Sequence, residues 1–187
     1  MADRSFIPVR FAVLTVSDSR TLDDDKSGDT LAERIEAAGH QLIDRAIAPD
    51  EIKRIRDIVS AWCADSGIDA VISTGGTGFT GRDVTPEALE PLFDKRMDGF
   101  SHLFHRASFD KIGTSTIQSR ATAGLVDQTF VFVLPGSPGA CRDAWDHILK
   151  DQFDYRHMPC NFVEIMPRLD EHLQRGGGRP PGFSTDP

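Results

Sequence analysis

Arg10-Phe-Ala-Val-Leu-Thr-Val-Ser17 is a run of mostly apolar, β-branched and aromatic positions that ends at the polar stretch from Asp18 to Ser27. That pattern predicts a buried strand followed by a loop. Leu31, Ile35 and Ala38 then recur at helical spacing, with Ser27 or Asp29 as candidate caps and Gly39 just past the last apolar position. Gln41 to Ala48 reads as a second strand, broken by Pro49-Asp50. Ile52, Ile55, Ile58, Val59 and Trp62 form the stripe of a second helix that runs up to Gly67. Asp69 to Thr74 gives a third, strongly buried strand. It opens into Gly75-Gly-Thr-Gly-Phe-Thr-Gly-Arg-Asp-Val-Thr85, too rich in glycine to be a regular element. Pro86 can start a helix behind Thr85, and Phe100, Leu103, Phe104 and Ala107 mark a further helical face, so the middle of the chain reads as mainly helical. After a polar turn through Arg120, Ala121 to Val126 and Thr129 to Leu134 are strands separated by Asp127-Gln128, which suits a hairpin. Leu134 runs into Pro135-Gly-Ser-Pro-Gly139, and Cys141, Ala144, Trp145, Ile148 and Leu149 form the stripe of the last helix.

Strands alternating with helices of about 10 to 15 residues indicate a mostly parallel sheet covered on both faces, because parallel neighbours need long crossovers. The expected class is therefore α/β, a three-layer α/β/α fold. The 187 residues make about one domain. We place it at 10–165, with an N-terminal extension at 1–9 and a tail at 166–187. From Arg175 onward the tail has almost nothing to bury and is expected to be flexible.

Charge narrows the partners. Lys and Arg total 21 against 29 Asp and Glu, a formal net charge of −8, whereas a nucleic-acid binder normally carries a basic footprint. Nucleic acid is disfavoured. A small anion is not, since backbone amides and a bound cation can hold phosphates without a basic surplus. No apolar run approaches the roughly 18 residues of a membrane span, and Met1-Ala2-Asp3-Arg4 lacks the layout of a secretory signal. The expectation is no membrane and a cytoplasmic location. Cys63, Cys141 and Cys160 have no C-x-x-C spacing and the six histidines include no H-E-x-x-H pair. Reduced thiols are expected, and no sequence-local zinc site.

In open α/β sheets ligands collect at the carboxyl ends of the strands. Four polar turns should lie there: Ser17-Asp18-Ser19-Arg20, Asp50-Glu51, the loop from Gly75 to Thr85, and Gly136-Ser137. Glycine permits positive φ and removes the Cβ, so consecutive N–H groups can converge on an anion, and phosphate recognition is the natural expectation. Gly76, Gly78 and Gly81 fit G-x-G-x-x-G literally. In the dinucleotide fingerprint, however, the last glycine already lies in the helix, whereas here Arg82 to Pro86 intervene. The P-loop is also missed, because Arg82-Asp83 stands where Lys-Ser or Lys-Thr is required. What remains is a glycine turn followed by Arg82-Asp83 and Thr85-Pro86-Glu87. An acid beside a phosphate cradle suits a cation, so Asp83 is a candidate Mg²⁺ ligand and Asp50 a candidate to complete the site. Asp50 has an alternative reading as an N-cap, and Asp18 and Asp25 read as turn and surface residues. Ser137-Pro138 suits N-cap and N1 of the last helix, compatible with anion binding. His102 and His105, beside Arg106, read as a solvated face. Phe100, Phe104 and Phe109 read as core or subunit interface.

Taken together, Thr15-Val-Ser-Asp18, Ser73-Thr-Gly-Gly-Thr-Gly78, Arg82-Asp-Val-Thr-Pro-Glu87 and Leu134-Pro-Gly-Ser-Pro138 resemble, in order, the signature of the molybdopterin-binding family of molybdenum-cofactor biosynthesis proteins. The similarity spans about Arg10 to Asn161. Phe6-Ile-Pro-Val-Arg10, Ile112-Gly-Thr-Ser-Thr-Ile-Gln-Ser-Arg120 and Pro159-Cys-Asn-Phe162 further resemble the branch called molybdenum cofactor biosynthesis protein B. The resemblance implies a three-layer fold, trimers or hexamers, other proteins of the same pathway as partners, and adenylylation of molybdopterin by Mg-ATP with release of pyrophosphate. The two aspartates tied to that activity fall by local match on Asp50 and Asp83, expected to act in catalysis and in holding Mg²⁺. Ser17, Asp18, Thr74, Gly75, Gly76, Thr77, Gly78, Arg82, Thr85, Pro135, Gly136 and Ser137 are the residues expected to bind nucleotide or pterin. The attacking phosphate monoester is already mostly ionised at neutral pH, with a second pKa near about 6, so the expected chemistry needs alignment and neutralisation more than a strong base. The B branch also carries an alternative, a non-catalytic molybdopterin-binding or scaffold protein of the same pathway.

Overall fold

Residues 4–171 are described by the computed structural model. The expected tail lies outside the described residues from 172 onward. The elements are β1 (Arg10–Val16), α1 (Lys26–Ala37), β2 (Gln41–Ala48), α2 (Ile52–Ala64), β3 (Ala70–Thr74), α3 (Thr85–Leu89), β4 (Lys95–Arg96), α4 (Asp98–Ile112), β5 (Thr122–Val126), β6 (Thr129–Leu134) and α5 (Pro138–Ala144). The strands form one six-stranded sheet in the order β2-β1-β3-β6-β5-β4. β1 pairs in parallel with both β2 and β3, and β3 with β6; β5 and then β4 continue the sheet antiparallel. The expected α/β class and the β5–β6 hairpin are both present.

Side-chain alternation along the central strands divides the core into two layers of packing. Phe11, Val13, Ile72, Phe130 and Phe132 face one way, onto Leu31 and Ile35 of α1, Phe100 and Phe104 of α4, and Trp145. Ala12, Leu14, Val16, Val71, Val131 and Val133 face the other way, onto Ile55, Val59 and Trp62 of α2 and Leu89 of α3. Because both faces of β1, β3 and β6 are covered, these strands read as near-continuous apolar runs rather than alternating ones. Burial of Phe100 and Phe104 confirms them as core, whereas Phe109 stands 54% exposed.

Several local expectations are corrected. The N-cap of α1 is Asp25, whose side chain accepts from the Gly28 N–H at 3.0 Å, and not Ser27 or Asp29. Asp25 is therefore no surface residue. It is fully buried, where its carboxylate accepts from the Thr15 hydroxyl at 2.6 Å and from Arg45 Nη2 at 2.9 Å. Burial raises its pKa, and these donors and the Arg45 charge outweigh that to bring it below the ordinary carboxylate value. A compensating cation on the neighbouring strand is invisible to a local reading. Asp50 is not a cap either: Glu51 occupies the N-cap of α2 with φ −129°, and no side chain caps that helix. The mainly helical middle contains β4, only two residues long and too short to show a period, between the brief α3 and α4. His105 is not simply solvated, since its ring nitrogens contact the carbonyls of Ser101 at 2.7 Å and Ser119 at 3.0 Å. Cys63 and Cys141 are free and held toward the apolar interior, with burial pushing their thiols up to about 12 and about 11. Cys160 is free and exposed. Among the described residues no helix is long and apolar enough to cross a membrane.

Candidate functional site

β2 and β3 lie on opposite sides of β1, so the connections leaving β1 and β3 diverge and open a crevice at their carboxyl ends. This is the switch point where α/β sheets place ligands. A cleft of about 420 Å³ sits there, lined by Val16, Ser17, Ser19 and Arg20 after β1, by Asp50 after β2, by Gly75 to Gly78 and Asp83 after β3, by Gln118 and Ser119 before β5, and by Pro135 and Gly136 after β6. All four turns expected at this edge contribute to it.

Glycine is required at the bottom of the cleft because the backbone passes so close to its neighbours. Gly75 has φ +105°, and a Cβ there would run into the Val16 carbonyl. Gly76 has φ +62°, and a Cβ on it would meet the Thr85 hydroxyl and lie 2.8 Å from Asp50 Oδ1. A Cβ on Gly78 would lie 2.8 Å from Asp83 Oδ2. Both carboxylates thus press against one stretch of loop. Its limbs are tied together by Thr85, whose hydroxyl donates to the Gly75 carbonyl at 2.8 Å and whose N–H donates to that of Gly76 at 3.0 Å.

The two aspartates differ in electrostatic state. Burial raises the pKa of Asp50, the Asp18 carboxylate raises it further and Asp83 adds to this, against a smaller opposing effect of Arg82. Burial also acts upward on Asp83, but donors from the Thr80 hydroxyl, the Thr80 and Gly78 N–H groups and the Arg120 charge together lower it. The Thr80 N–H and hydroxyl reach Asp83 Oδ2 at 2.8 and 2.5 Å. Among the described residues no group of three or more His, Cys, Asp and Glu side chains is arranged to hold a metal by itself.

Other expected site residues support the cleft from behind or from its rim. Thr74 is buried and donates to the Pro135 carbonyl at 2.9 Å. Asp18 and Arg82 form an exposed pair at 2.7 and 2.9 Å, and Asp18 also accepts from the Asp50 N–H at 3.1 Å. Ser137 caps α5 through the Ala140 N–H, as its sequence position predicts, and does not line the cleft. The sequence reading did not single out Arg20, Gln118, Ser119 or Arg120. Arg120 reaches the carbonyls of Gly78 at 2.8 Å and Asp83 at 2.8 Å, pairs with Glu87, and lies over the Phe79 ring. Arg20 follows directly from the turn placed at the strand end. Arg120 closes the Ile112 to Arg120 stretch that carries part of the resemblance, but nothing local in that stretch marks its contacts with the glycine loop.

A family model described as "Probable molybdopterin binding domain" matches residues 12–155. Molybdenum cofactor biosynthesis protein B of Escherichia coli (strain K12) is 50% identical over 157 residues, covering 84% of this chain and 92% of its own. The protein of that name from Bacillus subtilis (strain 168) is 44% identical over 142 residues, covering 75% of this chain and 84% of its own. Among solved structures, a crystal structure of molybdenum cofactor biosynthesis protein B superposes with TM-score 0.81 at 36% identity, covering 90% of this chain and 99% of that one. The tungsten cofactor synthesizing protein MoaB from Pyrococcus furiosus follows at TM-score 0.64 and 31% identity, covering 91% and 97%.

Proposed function

The chain belongs to the molybdopterin-binding domain family and, within it, to the branch of molybdenum cofactor biosynthesis protein B, and from that premise we propose that it binds molybdopterin and adenylylates it with Mg-ATP. A role in molybdenum cofactor biosynthesis follows from the membership. The observation that carries the finer reading is the convergence of Asp50 and Asp83 on one glycine-lined cleft at the sheet's switch point.

In the proposed reaction an oxygen of the pterin phosphate monoester attacks the α-phosphorus of ATP. A new P–O bond forms as the bond to the β-phosphate oxygen breaks, and pyrophosphate leaves. The attacking oxygen is already ionised at neutral pH, so what this chain must supply is alignment of two polyanions. Gly76 and Thr77 offer backbone N–H groups toward phosphate oxygens, those of Gly75 and Gly78 being engaged by the Leu134 carbonyl and by Asp83, and Ser17 lines the same wall. The pKa of Asp50, raised first by burial and then by the Asp18 carboxylate with a smaller addition from Asp83, fits a divalent cation, whose charge would favour the ionised form. Asp50 and Asp83 would hold it, and two carboxylates completed by substrate oxygens are a usual Mg²⁺ shell. Bound Mg²⁺ would neutralise phosphate charge as the two substrates meet. Self-assembly belongs to the same reading: Leu103, Phe109 and Ile112 on α4 and Ile117 just after it are between 52% and 75% exposed, an apolar surface suited to other copies.

Pyrophosphate release from ATP, measured with and without molybdopterin, tests the proposal. Turnover is expected only with the pterin present, and Asp83→Asn should slow it by about a hundredfold or more, the scale of a lost electrostatic contact to a reacting phosphate. Normal turnover by that variant contradicts the assignment. The second reading, a pterin-binding or scaffold protein without turnover, is favoured by one observation. Asp83 Oδ2 is already engaged by Thr80 within its own loop. It predicts pterin binding with no pyrophosphate.

A further inference from the structure

We propose that Arg20 is the residue that recognises the phosphate monoester of the pterin substrate in this cleft. The inference rests on the functional reading above and names the group that selects one of its two substrates. Arg20 is the cationic side chain among the residues lining the cleft. The nearby alternatives are committed elsewhere: Arg82 is held by both oxygens of Asp18, and Arg120 spends its donors on loop carbonyls and Glu87.

The Arg20 guanidinium is oriented before any ligand arrives. Nη1 donates to the Ser27 hydroxyl at 3.1 Å and Nη2 to the Gly136 carbonyl at 3.1 Å, while Ser27 itself donates to the same carbonyl at 2.9 Å. A guanidinium carries five N–H donors in a rigid plane. Nε and one hydrogen on each terminal nitrogen are left for an anion. Buried Asp25 lies 3.8 Å away, beyond hydrogen-bond reach. It forms a long ion pair with Arg20 and a shorter one with Arg45 at 2.9 Å, so it steadies the guanidinium without occupying its remaining N–H donors. The Arg20 side chain is 32% exposed, open to the cleft yet partly shielded from water.

Position assigns the substrate. Asp50 and Asp83 flank Gly76 and Gly78, and a cation between them suits the triphosphate. Arg20 bridges instead from the turn after β1 to Gly136 after β6. A monoester dianion lodged there has no cation of its own and needs a fixed, two-pronged donor.

Calorimetric titration of the full chain tests this, with molybdopterin in the absence of nucleotide and, separately, with Mg-ATP in the absence of pterin. Arg20→Ala should weaken pterin binding by about tenfold to a hundredfold, the scale of a charge-assisted hydrogen bond, and leave Mg-ATP binding unchanged. Arg20→Lys, which keeps the charge without the planar fork, should recover part of the loss. Ser27→Ala removes one of the two ties that orient the guanidinium but keeps its charge, its planar fork and its bond to Gly136, and should weaken pterin binding by clearly less than Arg20→Ala does. Three results overturn the assignment: wild-type pterin affinity in Arg20→Ala, equal losses for both ligands, or a loss in Ser27→Ala matching that in Arg20→Ala. A wild-type chain that binds no pterin is different, since it removes the functional reading and this inference with it.

Discussion

Each buried or half-buried ionisable group near the sheet is handled by its own set of neighbours, and the sequence shows only one side of each arrangement. Asp25 is fully buried and stays charged through Thr15, Gly28 and Arg45. His40 is 6% exposed and takes the opposite course. Its Nδ1 accepts from the Val9 N–H at 3.1 Å, and burial lowers its pKa from 6.5 to about 4, against a smaller upward pull from Asp154. The folded protein therefore keeps this ring neutral where the unfolded chain would protonate it. The associated stability is complete above pH 6.5 and declines as pH falls toward about 4, at up to about 1.4 kcal/mol per pH unit. Denaturant unfolding of wild type and His40→Gln at neutral and mildly acidic pH checks this: the variant should lose less stability on acidification. Identical losses would exclude His40 as the source.

At the scale of elements, the loop between β3 and α3 is shaped by a residue from a distant connection. Arg120, just before β5, has its backbone N–H on the Thr77 carbonyl at 3.2 Å and its guanidinium on the carbonyls of Gly78 and Asp83. It thereby joins both limbs of the loop and helps hold Asp83 in place. Arg120→Ala should raise amide hydrogen exchange across residues 77–83 while leaving β1 and β3 protected. Unchanged exchange in the loop would show that Thr85 and Asp83 suffice to close it. This contrast explains what could be read in advance. Gly75, Gly76 and Thr85 announce the loop because their chemistry is local: positive φ and close backbone approach demand glycine, and a hydroxyl closes the turn. Arg120 and Arg20 act on backbone carbonyls 42 and 116 residues away in sequence, and no spacing rule reveals such partners. The same distinction separates β1, β3 and β6, legible as apolar runs, from the two-residue β4, which exists only by pairing with β5.

For the whole molecule, topology makes the site. Placing β2 and β3 on either side of β1 gathers four turns from distant parts of the chain into one cleft. The alternation of strands and helices was enough to predict that edge, whereas the neighbours of each carboxylate within it were not legible. A chain of net charge −8 has no general attraction for polyphosphates, so the account depends on local neutralisation by a cation between Asp50 and Asp83. The most direct measurement is anomalous scattering from crystals grown with Mn²⁺ in place of Mg²⁺ and a non-hydrolysable ATP analogue. A manganese peak between the Asp50 and Asp83 carboxylates, with the analogue's phosphates against the amides of Gly76 and Thr77, is the predicted result. Metal and nucleotide bound together at another place, with this cleft empty, would contradict it.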